Sequence, residues 1–125
     1  MASIREFVME QPLLCHHDHH VSYAQFDAER HTYDYSSLLS YAAADLVTAE
    51  GPRAAPLPQE RARVERLWPK IRFTGYGRAV TLGCRALFGL EYGPESFAAV
   101  TEALQASIAG KSAAAVYHYF VHEKA

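Results

Sequence analysis

The sequence predicts a mostly helical chain, about five helices with a single short strand. Three observations carry that expectation. Apolar residues recur at helical spacing over most of the length, as in Phe97, Val100, Leu104 and Ile108. Glycines and prolines fall between those segments, where helices start and stop. Only one run, Leu13-Leu14-Cys15, has the short, continuously apolar character of a buried strand.

Taken in order, Ser3-Ile4-Arg5-Glu6 reads as a capping box that opens a short first helix. Pro12 closes it, because its ring disfavours helical geometry at Gln11. The strand Leu13-Leu14-Cys15 then delivers the cluster His16-His17-Asp18-His19-His20. Residues 21–35 are polar and aromatic without clear periodicity and read as a long loop. Ser36 or Ser37 caps the next helix, whose apolar face is Leu38, Ala42 and Leu46, and Gly51-Pro52 stops it. With Pro52, Pro56 and Pro58, residues 51–58 form a connector. A helix beginning near Gln59 runs through Val64 and Leu67 and is kinked or interrupted at Pro69. Helix resumes near Tyr76, continues to about Phe88 and gives way to a turn at Gly89 and Gly93-Pro94. The helix of Phe97 to Ile108 stops at Gly110, and residues 112–123 make a final alanine-rich one.

Composition narrows the function. The chain has 125 residues, enough for one domain with its own core, and 50% hydrophobic with 21% charged residues is a globular balance. At a net charge of −2 its basic residues are scattered, so nucleic acid is not an expected partner. No stretch reaches the roughly 20 apolar residues of a membrane span, and Glu6 and Glu10 break any signal-peptide core. Two cysteines, Cys15 and Cys84, do not make a disulfide scaffold. The expectation is a reduced, cytoplasmic protein.

The histidine cluster carries the chemistry. In an extended strand, alternate side chains share a face, so His17 and His19 project together while His16, Asp18 and His20 point the other way. Their Cα atoms would stand about 6.5 Å apart, close enough for both imidazoles to meet one divalent ion, zinc above all. A catalytic zinc needs three protein ligands and an open position, so this pair is half a site.

Residues 12–20, Pro-Leu-Leu-Cys-His-His-Asp-His-His, resemble the first-strand motif of the amidohydrolase superfamily. Residues 68–79, from Trp68-Pro69-Lys70-Ile71-Arg72 to Tyr76-Gly77-Arg78-Ala79, are similar to a stretch in the amidohydrolase 2 subgroup, related to uronate isomerases. The resemblance implies the amino-terminal part of a distorted (β/α)8 barrel, with His17 and His19 as first-strand ligands of a divalent metal. It implies hydrolysis, decarboxylation or isomerisation of a small-molecule substrate, with a bound water activated by the metal. A barrel takes about 250 residues, so residues 1–125 would be one incomplete domain, a truncated or split product inactive by itself. Cys15 departs from the pattern, standing where the family often has an acid that would orient a ligating histidine.

Within the second stretch Arg72, Tyr76 and Arg78 are the candidate substrate-binding residues, an arginine fork suiting a carboxylate. The structural alternative is that Gly75 and Gly77 permit a tight helix start while the arginines sit on the surface. His118 and His122 share a helix face, but no glutamate completes a His-Glu-x-x-His motif, and a solvated face is expected there. Cys84 reads as a small core residue, and Trp68 and Phe73 as packing anchors. The rival expectation is a small helical interaction or assembly module without catalysis, using the apolar faces around Leu38 and Phe97. Unpaired faces would make either form self-associate or seek a complementing chain.

Overall fold

In the computed structural model residues 3–11, 21–52 and 61–120 are described. They form seven α-helices, α1 (Ile4–Met9), α2 (Tyr23–Glu29), α3 (Ala42–Glu50), α4 (Arg61–Ile71), α5 (Gly75–Phe88), α6 (Phe97–Ile108) and α7 (Ala113–His118), with 3-10 turns at Arg30–Thr32 and Tyr35–Leu38. Among the described residues there is no strand. This overturns the expectation of a (β/α)8 barrel fragment. A barrel's helices must turn their apolar stripes onto a parallel sheet. Here the stripes of α3, α4, α5 and α6 converge on one another and close a core without a sheet. The expected strand at Leu13-Leu14-Cys15 lies outside the described residues.

Local chemistry sets most helix ends. Ser3 and Glu6 form the expected capping box: the Glu6 N–H donates to Ser3 Oγ (3.2 Å) and the Ser3 N–H to Glu6 Oε2 (2.6 Å), which also lowers the Glu6 carboxyl pKa. The expected loop over 21–35 contains α2, with Ser22 Oγ accepting from the Gln25 N–H. This helix is too short, at seven residues, to reveal a period, and it buries no residue of its own. It is held by packing on α7 and by an edge contact of Phe26 with Tyr33, centroids 5.7 Å apart.

The single helix expected from Leu38 onward is two elements. Asp34, not Ser36 or Ser37, caps the 3-10 turn, taking the Ser36 N–H at 2.8 Å while Ser37 Oγ accepts from the Asp34 N–H. Ser40, at φ +45°, then breaks the chain before α3. Pro69 does not interrupt α4, which runs through it to Ile71. So close to the end, the missing N–H and the ring's crowding of the previous turn affect little remaining helix. Gly89, at φ +69°, ends α5 as expected, and the whole predicted face of α6 is buried.

Four aromatic rings form the centre of the core. Tyr35 stacks on Phe97 with centroids 4.0 Å apart and planes 4° from parallel. Tyr92 meets Phe97 edge-on at 5.0 Å and Trp68 at 4.6 Å. The Tyr92 hydroxyl donates to the Tyr35 carbonyl at 2.8 Å, so its polar end is satisfied inside. Burial raises both phenols, Tyr35 to about 12, helped by the negative charges of Glu65 and Asp34. Leu46, Val64, Leu67, Ile71, Cys84 and Val100 surround the rings, and Cys84 is the small core residue expected.

Polar ties fix the helices around this core. Glu50 ends α3, where a carboxylate opposes the helix dipole. Arg63 and Arg66 of α4 offset this, Arg63 Nε at 2.6 Å and Arg66 at 2.7 Å, and they hold the Glu50 carboxyl below its usual range. Thr74 caps α5 through the Gly77 N–H (3.1 Å) and donates to the Asp45 carboxylate of α3. The α4–α5 corner is therefore pinned to α3.

Candidate functional site

That corner borders a cleft of about 660 Å³ between the end of α4, the start of α5 and the turn leading into α6. Trp68 forms its floor. Lying beside Leu67 on the buried stripe of α4, Trp68 is 2% exposed and turns one edge of its indole to the cleft. Gly93 crosses this edge: a Cβ there would sit 3.8 Å from the indole nitrogen. Larger side chains at position 93 would crowd the N–H. The indole Nε1 makes no hydrogen bond among the described residues. It is also not a sealed-off atom, since the Tyr35 hydroxyl is the buried side-chain polar atom left unpartnered there. The Trp68 indole thus borders the cleft with its N–H beside Gly93 and without a hydrogen-bond partner among the described residues.

Two arginines line the same space. Arg72 follows α4 and lies over the ring of Phe73, 4.5 Å from its centroid. Arg78 lies on α5, one turn past its cap. Neither has an ionic partner among the described residues. Glu91 and Glu95 supply the acidic side, but Glu91 is occupied by Arg85, whose Nε donates to it at 2.8 Å. Glu95 has no such partner among the described residues. Ser96 Oγ braces the turn by accepting from the Gly93 N–H at 3.1 Å. Arg72, Arg78, Glu95 and the Trp68 indole therefore border one cleft, the three charged residues exposed to solvent.

Of the three residues singled out for substrate binding, the fold brings Arg72 and Arg78 together and sends Tyr76 elsewhere. Tyr76 stacks on Tyr41, centroids 5.6 Å apart, and both rings are more than half exposed. Helix geometry explains the separation: residues two apart point about 200° from each other around the axis. Trp68 and Gly93-Pro94 are legible in the sequence only as a packing anchor and a turn, and Glu95 carries no signal there. Their part in the cleft depends on α6 folding back against α4 and α5, for which the sequence holds no local signal.

His17 and His19, the expected metal ligands, lie outside the described residues, as do Cys15 and His122. Among the described residues no three His, Cys, Asp or Glu side chains gather in a way that could hold an ion. His118 is exposed on α7, as expected. Among the described residues no helix is long and apolar enough to cross a membrane. Compared with family models, curated proteins and solved structures, the chain matches none.

Proposed function

We propose that this chain is the substrate-holding helical part of a metal-dependent hydrolase of the amidohydrolase type, and that its cleft takes the carboxylate of a small substrate. What supports the reading is that Arg72, Arg78 and Trp68 line one cleft, the two arginines without an ionic partner among the described residues. Hydrogen bonds to a charged group contribute about 1.5–3 kcal/mol each, and guanidinium forks match a carboxylate in shape. The walls of Trp68, Phe73 and Tyr92 suit an apolar body attached to that carboxylate. The chain alone is not proposed to be catalytic. His17 and His19 would give a zinc ion its first two ligands, and the others would come from a complementing chain or segment.

Titration calorimetry with 3-phenylpropionate tests the cleft. Binding should weaken at least tenfold in the double variant Arg72→Ala/Arg78→Ala, while Arg66→Ala, outside the cleft, leaves it unchanged. Equal affinity in the double variant and the parent would remove the proposal. The metal half has its own measurement. Zinc should bind no more tightly than micromolar, because two imidazoles are fewer ligands than zinc requires, and His17→Ala/His19→Ala should abolish the specific component. Nanomolar affinity, or no loss in the variant, would contradict the half-site reading.

A second reading, the helical interaction module, draws on a different surface. Val21, Tyr23, Phe26, Val116, Tyr117 and Phe120 line an apolar groove of about 200 Å³ between α2 and α7. If carboxylate binding proves independent of the arginines, this groove makes the module the better account of the chain.

A further inference from the structure

The cleft holds one feature that a plain anion site would be better without. Glu95 presents a carboxylate with no partner among the described residues, on the same space as Arg72 and Arg78. Its neighbour Glu91 is neutralised by Arg85, so the negative charge left in the cleft belongs to Glu95. A ligand bearing only a carboxylate would meet that charge as repulsion. A ligand bearing a protonated amine as well would turn it into a second attraction.

We infer that the cleft selects α-amino acids or short peptides with an apolar side chain, Arg72 and Arg78 holding the carboxylate and Glu95 reading the ammonium. The inference rests on the carboxylate reading above and adds the class of ligand. Donors and acceptor come from separate elements: the arginines from the α4–α5 corner, the carboxylate from the turn before α6. Charges of both signs thus border the same cleft from separate elements. A cleft of about 660 Å³ is within the range of small-molecule sites and has room for such a molecule. Gly93, lacking a side chain, adds no bulk over the Trp68 indole edge that borders the same space.

Trp68 is the chain's one tryptophan, so its indole N–H resonance reports on this cleft without ambiguity. Titrating the full chain at pH 7 with L-phenylalanine, 3-phenylpropionate and 2-phenylethylamine should shift that resonance. We expect L-phenylalanine to bind at least fivefold more tightly than either of the other two. Glu95→Gln, at an exposed position, should keep the helical circular dichroism, erase that preference and tighten 3-phenylpropionate. If 3-phenylpropionate binds the parent as tightly as L-phenylalanine, and still depends on the arginines, the amine inference is overturned while the carboxylate reading stands. An undiminished preference in Glu95→Gln overturns the role of Glu95. If no probe moves the indole resonance, the carboxylate reading fails and this inference falls with it.

Discussion

Phe97→Ala is expected to destabilise the protein by about 3–5 kcal/mol, the usual range for emptying a buried phenylalanine site. Phe97 is fully buried, its ring stacked flat on Tyr35 and met edge-on by Tyr92. Truncation removes both contacts and leaves a cavity that the two tyrosines cannot readily close. Tyr92 is held by its hydroxyl bond to the Tyr35 carbonyl, and Tyr35 by the Asp34 cap on its own turn. Domains of this size have total stabilities of about 5–15 kcal/mol, so a large share would be lost. Urea denaturation should show the midpoint falling with an unchanged slope, and the thermal midpoint dropping by roughly 10–20 °C. A loss below about 1 kcal/mol would mean that the aromatic cluster is not the centre of the core.

Gly77→Ala should also be severe, against the usual rule. Replacing a helical glycine with alanine normally stabilises by about 0.5–1 kcal/mol. At Gly77 the added Cβ would stand 2.2 Å from the Ile71 carbonyl oxygen and 3.0 Å from the Arg72 Cα, both backbone atoms that cannot swing aside. The α4–α5 corner must open instead, at a cost of about 2–3 kcal/mol typical of overpacking. That opening would disturb the Thr74 cap and displace Arg72 and Arg78, so carboxylate affinity should fall as well. Gly83, on the same helix, has nothing within 4 Å of its would-be Cβ, and Gly83→Ala should raise stability by about 0.5–1 kcal/mol. Denaturation of the two variants side by side checks the contrast. Matching signs would show that α4 and α5 do not approach as closely as described.

The two glycines show how far local reading reaches. In the sequence Gly75 and Gly77 look alike, both suited to a tight helix start. Only Gly77 is needed for close approach, because it faces the end of α4, while a Cβ at Gly75 would meet open space. A sequence gives the residue type but not what lies across from it. Pro69 is similar. The rule that proline interrupts a helix is sound for interiors, yet here the helix ends only two residues later.

The expected barrel fails for a related reason. A three-residue apolar run at Leu13-Leu14-Cys15 and a family-like histidine motif suggested a strand that would need many partners. The described residues instead close their core among helices, with no strand among them. A pattern of buried faces is compatible with either arrangement, since a stripe at helical spacing says that a face is covered, not by what.

The sequence by itself determined the helical character, the buried face of α6, the stops at Gly89 and Gly51, the first capping box and the core role of Cys84. All of these arise from neighbours within one or two helical turns, where spacing and backbone preference act directly. Tertiary structure alone decided that Arg72 and Arg78 share a cleft floored by Trp68 and bordered by Glu95, and that Tyr76 does not. Those relations join α4, α5 and the turn before α6, and they follow from how the aromatic core draws these elements together. Packing of that kind depends on the shape of the whole interior, which no short stretch of residues encodes.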